Sequence, residues 1–115
     1  MGNPRIRDFV DSEEETLGID PINLRQYLDE ISEQDGGVTI NKKTKAIVVN
    51  HYGSISSEIS IIQKICKKRK IILIEDIAES IFSKFKNKYL GSFGDLSTIS
   101  FHQSKVITCG VGGAL

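Results

Sequence analysis

Two residues stand where chemistry is usually done in an α/β protein. Asp76 closes the apolar run IILIED, and Lys105 follows the run STISF by four residues. A lysine amine can attack a carbonyl or carry a proton, and a carboxylate can hold a proton on a basic nitrogen. Ligands of parallel sheets gather at the carboxyl ends of the strands, which is where both residues fall. Each also has an ordinary explanation. An aspartate after a strand commonly caps the next helix, here IAESIF, and a lysine in a loop is commonly a solvated charge. Spacing alone does not separate these readings.

Other reactive side chains carry less. Cys66 and Cys109 are far apart and form no CxxC pair, so neither zinc nor a redox motif is indicated and free thiols are expected. His51 has no cysteine, histidine or acidic cluster around it, which makes it a strand-end structural residue rather than a metal ligand; no metal site is expected. His102 has no assignable role. The run KKRK after Cys66 reads as a cationic helix end, favourable to the dipole and solvated. Gly110, Gly112 and Gly113 follow a strand, a loop and a lysine, not the strand-to-helix turn of a nucleotide loop, and imply close backbone approach. A nucleotide-binding βαβ module would need a glycine-rich loop after AIVVN, where only HYGS stands.

The elements that must position these residues follow from periodicity. KAIVVN is a short apolar run of the kind a strand buried on both faces shows. SSEISIIQKICKKRK places Ile55, Ile59, Ile62 and Cys66 at helical spacing, with Ile61 and Ile65 widening the stripe. IILIED is a second strand. Together they predict a βαβ unit with parallel strands and a right-handed crossover. SKFKNKYLGSFGD predicts a small hairpin with Asn87 at its tip and Gly91 and Gly94 in the return. STISF is a further strand, and GGAL begins another. Upstream, GIDPINLRQYLDEI predicts a helix capped by Asp20, with Pro21 in its first turn and Leu24, Tyr27, Leu28 and Ile31 on one face. SEQDGGVTINKKTK reads as a loop or weak hairpin. The class is α/β with a mostly parallel sheet.

The 115 residues suffice for one domain. Hydrophobic residues make up 39% and charged residues 26%, a globular composition. Fifteen basic and fifteen acidic side chains cancel, so no global charge draws the chain to nucleic acid or an anionic membrane. No apolar stretch approaches a membrane span, and MGNPRIRDFV has neither a signal core nor a myristoylation site. A cytoplasmic location is the expectation.

From about Phe9 to Leu115 the sequence resembles the DegT/StrS-type sugar aminotransferases. The blocks FVDSEEETLGIDP, KAIVVNHYG, IILIEDIAES, YLGSFGDLSTISF and SKVITCGVGGAL occur in the family's order. The wording DSEEETLGIDP and EDIAES is nearest to the branch that makes legionaminic-acid-type sugars. The resemblance implies a type I pyridoxal phosphate (PLP) transferase fold. It also implies amino transfer, with glutamate as the expected donor, to a nucleotide-linked keto-sugar in polysaccharide or surface-glycan synthesis. Lys105 matches the lysine that anchors the cofactor covalently and moves a proton during the reaction. Asp76 matches the carboxylate facing the ring nitrogen, and Ser100 a serine contacting the cofactor phosphate. Glu79 stands where many members have Gln or His near the phenolic oxygen. That is a departure, and on its own terms Glu79 is an exposed helix-face residue. Family members that dehydrate sugars carry histidine in place of the lysine, so Lys105 favours transamination.

The family is several times longer than this chain, and its full-length members are expected to be homodimers. Residues 1–115 match a central part of the large domain. The N-terminal phosphate loop, the ring-stacking aromatic residue and the small C-terminal domain have no counterpart here. The expectation is a partial PLP-binding large domain, truncated at both ends. As the alternative to a catalyst, the chain alone would be a non-catalytic remnant or one partner of a split enzyme.

Overall fold

The computed structural model describes residues 19–22, 24 and 44–115. Along the chain run β1 (Ala46–Asn50), a 3-10 turn (Tyr52–Ser54) and helix α1 (Ile59–Arg69). β2 (Ile72–Asp76), β3 (Lys84–Phe85), β4 (Lys88–Tyr89), β5 (Leu96–Ser100) and β6 (Gly113–Ala114) follow. The main sheet has the order β1-β2-β5-β6. β1, β2 and β5 are parallel, with Asn50 opposite Asp76 and Asp76 opposite Thr98. β6 pairs antiparallel to β5, with Gly113 opposite Ser100. This is the predicted α/β class with a mostly parallel sheet.

The short strands follow from β-branched, apolar runs that gain most when packed on a pleated surface. Ile47, Val49 and Leu73 point to one face, where Ile59, Ile62, Ile65 and Cys66 of α1 cover them. Each such isoleucine or leucine removed from water contributes roughly 1.5–3 kcal/mol. The other face departs from the sequence expectation. Burial alternates along β1 instead of being continuous, and Val48, Ile72 and Leu96 are exposed. Period-two geometry sends these side chains to the face that α1 does not cover.

Helix α1 starts later than its apolar stripe suggested, leaving Ile55 outside it and exposed. Its end is a Schellman motif. Lys70 adopts the left-handed conformation (φ 56°), its N–H donates to the Lys67 carbonyl, and the Ile71 N–H donates to that of Cys66. The hairpin forms as expected. Lys86 and Asn87 both have positive φ, as a two-residue loop between β3 and β4 requires. Its Phe85 ring meets Phe93 edge-on, with 6.0 Å between centroids.

Upstream, Asp20 Oδ1 accepts from the Ile22 N–H at 2.8 Å and the Asp20 carbonyl from that of Leu24, so Asp20 caps a helical turn as predicted. Leu24 is buried in the core. Tyr27, Leu28, Ile31 and the loop after them lie outside the described residues.

The segment after β2 contradicts expectation. IAESIF is a series of turns, not a helix. Ser80 is fully buried, its N–H donates to the Ile77 carbonyl, and its hydroxyl donates to the His51 carbonyl. A serine bonded to backbone in this way competes with helix formation, and Phe82 at φ 69° completes the reversal.

Candidate active site

β1, β2 and β5 end at one edge of the sheet. Their register places Asn50, Asp76 and Thr98 in a row across the strands, on the face that α1 does not cover. Ser100, two residues beyond Thr98, shares that face by the period of the strand. The Asp76 carboxylate is held from three directions. Oδ1 accepts from the Ala78 N–H at 3.0 Å and from the Thr98 hydroxyl at 3.2 Å. Oδ2 accepts from the Asn50 side-chain amide at 3.4 Å. The contact with Ala78 is the ordinary capping role foreseen for Asp76, applied to a turn. Those with Asn50 and Thr98 come from neighbouring strands and go beyond it.

Glu75, the preceding residue, faces the opposite way and is fully buried. Its Oε1 accepts from His51 Nε2 at 3.0 Å and from the Gly91 N–H at 2.9 Å. Its Oε2 accepts from the N–H groups of Phe93 (2.7 Å) and Gly94 (2.6 Å). Burial pushes this carboxyl upward, but His51 and the Gly91, Gly94 and Phe93 amides together outweigh it and leave its pKa below the ordinary value. His51 Nδ1 accepts from the Ser57 N–H at 3.2 Å, so the hydrogen donated to Glu75 sits on Nε2. His51 is therefore the structural residue expected, and Glu75 is the group that sequence reasoning passed over. Glu75 clamps the 91–94 loop that feeds β5. Asp95 completes the clamp: its Oδ2 accepts from the Leu73 N–H, and its own N–H donates to the Leu73 carbonyl, both at 2.8 Å.

Lys105 closes a turn after β5, its N–H donating to the His102 carbonyl at 2.8 Å. The lysine loop is tied to itself by Phe101 N–H to Gly112 O (2.8 Å) and Gln103 N–H to Gly110 O (3.0 Å). From this loop the Lys105 amine reaches the Glu79 carboxylate and forms an ion pair with it. Glu79 stands in the turn directly after β2, its carbonyl accepting from the Ser54 hydroxyl at 3.2 Å. Glu79 is thus on a turn, not on the helix face expected. Ser100 Oγ accepts from the His102 N–H at 3.3 Å. His102 Nδ1 is 2.9 Å from the Ser104 hydroxyl, a local contact. Gly113 meets the close approach foreseen, since a Cβ there would lie 2.6 Å from the Ile99 carbonyl oxygen. Gly110 does not: the space around it is open, and its φ of 86° is what favours glycine.

All four residues singled out in the sequence therefore lie at one edge: Asp76 and Ser100 on the face that α1 does not cover, Lys105 and Glu79 joined beside it. The set offers a carboxylate acceptor, a hydroxyl and a primary amine. Asn50 and Thr98 are additional members, and the register of three parallel strands is the signal that finds them. A cavity of about 270 Å³ lined by Cys66, Lys70, Leu73, Phe93 and Asp95 opens at the other end of β2. Within it burial, with the Asp95 carboxylate second, pushes the Cys66 thiol up to about 11, which keeps that thiol protonated at neutral pH. Among the described residues no helix is long and apolar enough to cross a membrane.

A model of the DegT/DnrJ/EryC1/StrS aminotransferase family matches residues 8–115. The GDP-perosamine synthase of Escherichia coli O157:H7 is 39% identical over 105 residues, which are 91% of this chain and 26% of that protein. The structure of a DegT/DnrJ/EryC1/StrS aminotransferase from Brucella abortus superposes with a TM-score of 0.78 at 26% identity, covering 91% of this chain and 27% of that one. The E. coli GDP-4-keto-6-deoxy-D-mannose-3-dehydratase, solved with bound hydrated PLP, gives a TM-score of 0.67 at 33% identity, with 91% and 25% coverage. The chain spans about a quarter of the length of these relatives.

Proposed function

The chain belongs to the DegT/DnrJ/EryC1/StrS aminotransferase family, and from that premise we propose that it carries the cofactor-anchoring part of a PLP-dependent sugar aminotransferase. The observation that carries this reading is the meeting of Lys105 with Glu79 at the strand edge that also bears Asp76 and Ser100. The donor set fits PLP. Among the described residues Asp76 keeps acceptor capacity for a ring N–H and the Ser100 hydroxyl keeps its hydrogen for a phosphate oxygen, while Lys105 supplies a primary amine. The dehydratase neighbour solved with PLP supports the same cofactor.

When bound, PLP supplies an aldehyde that exchanges between amines and a ring that accepts electrons. Asp76 keeps a proton on the ring nitrogen, Ser100 binds the phosphate, and Lys105 anchors the cofactor and then moves a proton at the substrate carbon. Glu79 accepts from the Lys105 amine and so fixes where it waits. A lysine at position 105 favours amino transfer over dehydration.

The substrate is a keto-sugar linked to a nucleotide and the donor is glutamate, with the product entering surface-glycan synthesis. The GDP-perosamine synthase relative supports the nucleotide-sugar part. The legionaminic-acid-type branch rests on the wording DSEEETLGIDP and EDIAES. Residues 1–115 constitute part of a large PLP-binding domain that acts in a cytoplasmic homodimer.

The test is to add PLP to the purified chain, record the visible absorbance, reduce with borohydride and map the modified peptide. A band that appears in the wild type, is lost in Lys105→Ala and leaves the cofactor on Lys105 is the expected result. Uptake that ignores Lys105 sinks the assignment.

A further inference from the structure

Resting on that reading, we propose that Thr98 and Asn50 are positioning residues which orient the Asp76 carboxylate and reserve its Oδ2 for the cofactor's ring nitrogen. A carboxylate has about four lone-pair sites, two on each oxygen. On Asp76 both Oδ1 sites are filled by the chain itself, through the Ala78 N–H at 3.0 Å and the Thr98 hydroxyl at 3.2 Å. Among the described residues Oδ2 has a single partner, the Asn50 amide, at the long distance of 3.4 Å. Those residues leave one acceptor site, and it belongs to Oδ2.

The arrangement is more than a turn cap. Capping accounts for Ala78, which follows Asp76 by two residues. It does not account for donors brought from β1 and β5 on either side. Asn50, Asp76 and Thr98 are consecutive partners across the parallel register, so their side chains meet on one face by construction. Donors on both oxygens remove the carboxylate's freedom to turn about its own axis.

The test uses the full chain loaded with PLP labelled with ¹⁵N at the ring nitrogen, whose chemical shift reports protonation directly. In the wild type the shift should be that of a protonated ring. Thr98→Val should move it toward the unprotonated value and weaken PLP by about tenfold, the usual cost of a hydrogen bond to a charged group. Thr98→Ser, which restores the hydroxyl, should recover both. Asn50→Ala, at an exposed site away from the core, should shift the signal in the same direction without changing the thermal midpoint. That keeps the test open even where Thr98→Val fails to fold. A wild-type signal of a protonated ring that neither Thr98→Val nor Asn50→Ala moves overturns this inference and leaves the proposed function standing. A wild type that takes up no PLP through Lys105 overturns both.

Discussion

His51 Nε2 lies 3.0 Å from Glu75 Oε1, with both side chains fully buried between β1, β2 and the loop that enters β5. The same carboxylate gathers three backbone N–H groups from Gly91, Phe93 and Gly94. Removing it leaves four donors without their carboxylate partner, the fully buried His51 among them. Glu75→Ala should therefore cost about 3–5 kcal/mol, the range for breaking a buried pair. Chemical denaturation followed by circular dichroism measures this. A loss under about 1 kcal/mol, within the range of exposed pairs, would mean that the 91–94 loop is held by something else.

The clamp also sets an acid limit. A carboxyl held below its ordinary pKa stabilises the fold above that value and loses the contribution as pH falls through the lowered one. For Glu75 the contribution is complete above an ordinary glutamate pKa of about 4.3 and declines progressively below it. Urea midpoints measured downward from about pH 6, well above that range, should fall in the wild type. In Glu75→Gln the starting midpoint should be lower and the acid slope shallower. Equal slopes in the two proteins would refute the assignment.

How much of this was legible beforehand differs residue by residue. The apolar runs at 46–50 and 72–76 with a helical stripe between them are read directly, because burial fixes the period of each. Asp76 and Lys105 were visible as strand-end residues, but only the family resemblance gave them roles, since their partners come from other strands. Glu75 was missed although the signal was present. In IILIED a period of two puts it on the same face as Leu73, so a buried charge and a partner for it were implied. The helix expected at IAESIF was lost to Ser80, whose bond to the His51 carbonyl depends on a contact that no local pattern contains.

Lys70 gives a prediction of the opposite sign. It holds the left-handed position of a Schellman motif, where φ is 56° and glycine is the common occupant. An L-residue with a Cβ pays roughly 1–2 kcal/mol for that conformation. Glycine returns part of this through its freer unfolded chain. Lys70→Gly should raise stability by about 0.5–1 kcal/mol. A fall in the thermal midpoint would show that the Lys70 side chain contributes more than the strain costs.

Gly94 is limited by space, not by φ. A Cβ there would lie 2.7 Å from the Leu73 carbonyl oxygen and 2.9 Å from that of Leu96. Both are backbone atoms held in the sheet and cannot step aside. Gly94→Ala should destabilise by about 1–3 kcal/mol, as overpacking does, and disturb the Phe93 and Gly94 amides that Glu75 holds. The double variant with Glu75→Ala should then cost less than the sum of the two, because each damages the same loop. Strict additivity in a double-mutant cycle would separate the glycine from the clamp.

The pairing of Lys105 with Glu79 predicts a kinetic effect with a ceiling. The Lys105 side chain is 19% exposed and that of Glu79 49%, so the pair is only partly shielded from water. Such pairs contribute between about zero and 1 kcal/mol, and 1 kcal/mol corresponds to roughly a fivefold change in rate. The amine must leave Glu79 before it can react with an aldehyde. Glu79→Gln should therefore speed the trapping of PLP on Lys105 by borohydride, within that fivefold limit, while the modified peptide stays the same. Slower trapping would reverse the role, making Glu79 a residue that presents the amine to the cofactor instead of one that holds it back.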